Sequence, residues 1–178
     1  MITAPGNVAP GLGLGRPLRN FGAPANGSAE IDTITIGGTP TGGTFTLVYD
    51  GVTTAPITWS STNATLVANI LAGLVALGDI GSGNVTVAVG TMTAGVGTIT
   101  VTYAGSLAAL NVNPIMVGTN SMTGTAPTVA VATTTSGVTA TFRGAPKGAF
   151  CNDETNGILY QNQGTADVPS WVKVGTET

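Results

Sequence analysis

The 178-residue chain contains no histidine, which removes the imidazole from every Ser-His-Asp or Cys-His nucleophile arrangement. Cys151 is the single thiol, so the usual His/Cys donor set for zinc is missing and no internal disulfide can form. A small buried core residue is the reading it supports, rather than a redox or nucleophilic centre. Asp153 and Glu154, flanked by Asn152 and Asn156, offer the oxygen donors that calcium takes. They lack the alternating D-x-D-x-D-G spacing of a calcium loop and read as a hairpin turn. A carboxylate pair for sugar hydrolysis would have to draw on Asp32, Asp50, Asp79 or the C-terminal acids, and nothing in the sequence brings two of them together. The GLGLG run at 11–15 has no strand before it, and Pro17 interrupts the helix a phosphate loop needs after it. Asn26, Asn63 and Asn84 each open an N-x-S/T triplet, which a Thr-rich sequence produces by chance. Trp59 and Trp171 could stack on sugar rings but read as core residues. The expectation is therefore no enzyme, no cofactor and no metal.

Composition points to a different kind of work. Charged residues make up 7% of the chain, against about 25% in an average soluble protein. Between Asp32 and Arg143 only Asp50 and Asp79 carry charge. With 42% hydrophobic residues, many of them β-branched, the chain reads as folded and β-rich rather than disordered. Its surface must then be largely uncharged Thr, Ser, Asn and Ala, as expected of a protein that faces other protein. Strand edges without Lys are poorly protected against pairing. A net charge of −3 argues against general nucleic-acid binding, and no run of 18 apolar residues offers a membrane span. The first fifteen residues lack the charged start and apolar core of a secretory signal, so synthesis and use in the cytoplasm, or release by lysis, is expected rather than export.

The element that organises the rest is residues 62–77, TNATLVANILAGLVAL. Leu66, Ile70, Leu74 and Leu77 recur at helical spacing. Val67, Leu71 and Val75 widen the stripe, so burial on more than one side is expected. Residues 60–63 offer capping oxygens, and Gly78 stands where a left-handed closing residue is wanted. Before the helix, strands are predicted at 31–36, 45–49 and 52–59, with a turn over 37–43 and an Asp50-Gly51 hairpin. After it come strands at 84–89 and 98–103, a short helical turn followed by a strand within 106–118, and a strand at 127–134. This order predicts a mainly β fold, an antiparallel or mixed sandwich-like sheet module with one crossing helix. Residues 1–29, rich in Pro and Gly, read as an extended arm without regular structure, with a disordered tail as the alternative. Leu12, Leu14, Leu18 and Phe21, with Arg16 and Arg19 between them, are its candidate anchors on a neighbouring subunit. Residues 139–178 form a small C-terminal β unit with an Asn156-Gly157 hairpin signal of type I′. Phe150, Tyr160 and Trp171 are expected to pack together there, against the main module or at an oligomer axis.

The run TPTGGTFTLVYDGVTTAPITWSSTNATLVANILAGLVAL, followed by GSGNVTVAVG and TITVTYAG, resembles a module recurring in virion structural proteins of tailed bacteriophages. It covers about residues 30–138, and GGTFTLVYDG with TTAPITW is its most specific part. Pro56 departs from the pattern and points to an edge position or a bulge. The C-terminal segment is similar to short β units near the ends of phage fibre and decoration subunits. The resemblance implies a non-enzymatic protein of the capsid surface, made in the host cytoplasm. Its partner would be the major capsid protein, with the chain acting as a decoration (cement) protein that stabilises the head shell and with a homotrimer as the implied assembly. Head-fibre, tail-tube and tail-fibre components fit the same modules. A carbohydrate-binding or adhesive surface module is the alternative from another class.

Overall fold

The computed structural model describes residues 18–20 as backbone and 22–175 in full. The fold is mainly β, as expected: a six-stranded sheet covered by one helix, and a second sheet of four short strands. The elements in chain order are β1 (Leu18–Asn20), β2 (Ile31–Tyr49), β3 (Val52–Thr53), β4 (Ile57–Thr58), α1 (Asn63–Val75), β5 (Val85–Thr93) and β6 (Val96–Tyr103). A 3-10 turn (Gly105–Leu107) precedes β7 (Met116–Thr135), and β8 (Phe150–Asp153), β9 (Ile158–Asn162) and β10 (Trp171–Lys173) follow.

The largest departure from expectation is β2. The predicted strands at 31–36 and 45–49 are one 19-residue strand that runs through the predicted turn. It pairs antiparallel with β7 along nearly its whole length, from Ile31 opposite Thr135 to Val48 opposite Met116. The inward positions explain why it reads as two strands. Asp32, Ile34 and Ile36 are buried in the first half, whereas Phe45, Leu47 and Tyr49 are buried in the second. Strict alternation forbids that change of phase, and register shifts at Gly37/Thr39 and Pro40/Gly42 absorb it. Gly38 sits at the first of these with φ +76°, where an added Cβ would lie 2.0 Å from the Ala126 carbonyl oxygen. The glycines are there for bulges and close approach, not for a chain reversal.

On its other edge β2 carries β6 over residues 31–36, then β4 and β3 near its C-terminal end. Pro56 falls between β3 and β4, so the predicted third strand is two short pieces. Both two-residue hairpins have left-handed central pairs of the I′ kind: Asp50 (φ 48°) with Gly51 (φ 80°), and Ala94 (φ 49°) with Gly95 (φ 76°).

Helix α1 lays Leu66, Ile70 and Leu74, all fully buried, onto the sheet. Together with Ile34, Ile36, Phe45, Leu47, Ile99, Val101 and Tyr103 they form the main core. Val67, Leu71 and Val75 are half-buried flanks, but Ala64, Ala68, Ala72 and Ala76 are exposed. The helix is thus buried on one face rather than on several. Thr62 is its N-cap residue without a side-chain cap bond. Asn63, expected as a cap, instead ties the helix to the β5–β6 turn: its Nδ2 donates to the Met92 carbonyl and its Oδ1 accepts from the Gly95 N–H. The left-handed residue after the helix is Gly81 (φ 69°), not Gly78.

Candidate functional site

The described residues include no group of three or more His, Cys, Asp or Glu side chains placed to share a metal ion. What the fold builds instead is a set of buried polar pins and several exposed, neutral surfaces.

The main pin is Asp32, a fully buried carboxylate. Its Oδ2 accepts from the Tyr103 hydroxyl (3.1 Å) and the Ile115 N–H (2.9 Å), and its Oδ1 accepts from Thr133 Oγ1 (2.7 Å). One carboxylate thereby joins β2, β6, β7 and the loop leading into β7. With both oxygens engaged by the protein's own donors, it is occupied as a structural acceptor. Burial, and then the neighbouring Asp32 charge, raise the Tyr103 hydroxyl far above its ordinary pKa, so it stays a donor. Alternation along IDTITI sets Asp32 on the same face as Ile34 and Ile36, the signal the sequence offers for an acid on the buried face. Glu30 is buried beside this region, with its Oε2 facing the Gly137 N–H at 3.4 Å.

Asp153 is the second pin. Its Oδ1 accepts from the Thr155 and Asn156 N–H groups and its Oδ2 from Asn156 Nδ2. These bonds, the Asn156 side chain first, hold its carboxyl below the usual carboxylate range. The loop it caps differs from the type I′ reading. Four residues separate Asp153 from Ile158, only Gly157 is left-handed (φ 67°), and its N–H donates to the Asp153 carbonyl.

The three aromatics expected to pack together separate. Tyr160 and Trp171 are buried with Cys151 and Ala145. Phe150 is 41% exposed, because β8 alternates and turns Cys151 inward instead. Phe142 takes the vacant role, edge-on to Trp171 with ring centroids 6.2 Å apart. Cys151 is a fully buried free thiol, and burial, then Asp153, push it above its ordinary value. Trp59 is half-buried against the main core with its Nε1–H donating to the Gly95 carbonyl.

Of the arm residues, Leu12, Leu14, Arg16 and Phe21 lie outside the described residues. Leu18 and Arg19 belong to β1, which pairs in parallel with β8 of the same chain: Leu18 stands opposite Cys151 and Arg19 opposite Asn152. This corrects the expectation that residues 1–29 hold no strand. The next stretch is also tied down, through the Ser28–Val138 bridge, the Thr141 N–H to the Ala25 carbonyl, and Asn26 Oδ1 accepting from the Trp171 N–H. Arg143 fastens the small sheet to the main module by donating to the Ser106 and Ala108 carbonyls, with Asp167 3.6 Å away.

The exposed neutral surface lies mainly on β5 and β7. No charged residue occurs between Asp79 and Arg143, yet most positions of both strands are exposed. No described helix is long and apolar enough to cross a membrane.

No family model matches the chain, and no curated protein matches it. Among solved structures, a chain of Mycobacterium phage Patience is similar at 19% identity and a TM-score of 0.41, over 85% of this chain and 57% of that one. This chain therefore spans little more than half of the protein it resembles. A likeness of that degree carries no argument about function.

Proposed function

We propose that this protein is a non-enzymatic structural component of a tailed-phage virion, a decoration protein that binds the outside of the head shell through the major capsid protein. The observation that carries the reading is the exposed, uncharged surface between Asp79 and Arg143 on a well-packed β scaffold. A surface of that length without charge suits permanent contact with protein, where backbone pairing and small apolar contacts supply the binding. The sequence resemblance to virion modules supplies the setting. Asp32 and Asp153 have both carboxylate oxygens committed to internal donors, which fits a structural role better than a hydrolytic one.

Binding of this kind depends little on ion pairs and should persist through washes in high salt. The deciding measurement is the copy number in purified virions relative to the shell protein, by quantitative mass spectrometry. Near-stoichiometric abundance supports a decoration protein. A few copies per particle would replace that role with a head-fibre, tail-tube or tail-fibre part, and absence from particles would refute the virion reading. The adhesive-module alternative needs an exposed aromatic platform; Trp171 is buried and Trp59 half-buried, which leaves Phe150 as the exposed aromatic among the described residues.

A further inference from the structure

The six-stranded sheet ends on β7, which pairs with β2 on one side and with no other described strand on the second. Most of β7 is interrupted by register shifts, but residues 129–133 pair without one, from Val129 opposite Ile36 to Thr133 opposite Asp32. Over residues 128–135 the sequence is TVAVATTT, with no charge, no Pro and no Gly. Natural sheets protect such edges with Lys, Pro, bulges or a covering segment. Pro127 and the shift at Gly37/Thr39 protect one end, and the register shift between Thr133 and Thr135 protects the other, leaving residues 128–133 open between them.

The two faces of this stretch differ. Val129 and Val131 point inward and pack against the main core, yet both remain only half-buried. A strand added beyond β7 would lie beside them. Ala130 and Ala132 point outward and are exposed.

We infer that residues 128–133 of β7 pair antiparallel with the same residues of a second copy of this chain, joining two sheets about a twofold axis. An isologous contact is self-complementary. It would set the Val129 and Val131 rows of the two copies side by side, extending the core across the join, and it brings no charges together. The opposite sheet edge, β5, offers a slightly shorter run, Val85–Val89, before its register breaks. An anionic partner such as nucleic acid finds no cation on this edge, and a charged peptide finds no counter-charge. The inference stands apart from the virion reading, since it concerns the isolated protein in solution.

The test is the mass of the full chain by light scattering over a concentration series, for the native protein and for an Ala130→Lys/Ala132→Lys variant. Both substitutions lie on the outward face and leave the core side chains untouched. The native protein is expected at twice its 17.5 kDa chain mass and the variant at the chain mass, with the same circular dichroism spectrum. Single cysteines placed in turn at Thr128, Ala130, Ala132 and Thr134 keep the question open to a second readout. Like-to-like disulfide dimers should form best at one central position and fall away on both sides of it. A native monomer at every concentration, a trimeric mass, a dimer indifferent to the two lysines, or no like-to-like crosslink would each overturn the pairing.

Discussion

Replacing Asp32 tests whether its value lies in its charge or in its acceptor geometry. Truncation in Asp32→Ala removes the acceptor of the buried Ile115 N–H, one of two for the Tyr103 hydroxyl, and the partner of Thr133. Leaving a buried donor unsatisfied costs about 1–3 kcal/mol, and each lost bond to a charged group is worth a similar amount. Tyr103 still reaches the Asn113 carbonyl at 3.3 Å, and the exposed Thr133 hydroxyl can turn to water, so the total should be about 3–5 kcal/mol. At about 2–4 °C per kcal/mol for a chain of this size, the melting midpoint falls by roughly 10 °C. In Asp32→Asn, by contrast, the amide oxygen can keep the Tyr103 and Ile115 donors while the amide nitrogen donates to Thr133 Oγ1, whose hydroxyl rotates to accept. That variant should lose only about 1 kcal/mol, the charge-assisted part of three bonds. Urea or thermal unfolding of the three proteins measures both numbers. If Asn proves as damaging as Ala, the reasoning from acceptor geometry is refuted.

Two further outcomes follow from the same pins and bulges. The Asp153 carboxyl is held below its ordinary value, so its contribution to stability is present above the unfolded pKa of about 4 and is lost as pH falls through the lower folded value. Acid titration followed by Trp171 fluorescence should show that loss, and Asp153→Ala should flatten it; an unchanged profile would show that the turn bonds do not hold the small sheet. At Gly51, left-handed with open space around it, Gly→Ala should cost about 1–2 kcal/mol. At Gly38 the same change also drives a methyl into the Ala126 carbonyl and should cost clearly more; equal losses in denaturant titrations would dismiss the bulge argument.

Local signals carried much of the fold. Leu66, Ile70 and Leu74 announced the buried helix face, and Asp50-Gly51 announced its hairpin, because each depends on neighbours a few residues away. The long β2 strand did not show itself. Its Gly37, Gly38, Gly42 and Gly43 have the chemistry of a turn, and only the approach of β7, far along the chain, makes them bulges. Phe150 misled for a related reason: in a strand of four residues, its fate depended on whether it or Cys151 faced Trp171, and the larger side chain looked the better core residue. The neutral surface was legible from composition alone. Which part of it lacks a neighbour was not, since that depends on β7 being last in the sheet.

The β2–β7 ladder also governs how the chain can acquire its shape. Partners such as Ile31 and Thr135 stand far apart in sequence, so a large loop must close before their contacts reward it. The β5–β6 hairpin and α1 involve nearby residues and can form early. β2 must then wait, paired only in part, until β7 has been synthesised. Folding should accordingly be slow for a chain of this length, on the order of milliseconds to seconds. During that interval β2, with its own neutral edge uncovered, is the segment that a chaperone or another nascent chain would meet first.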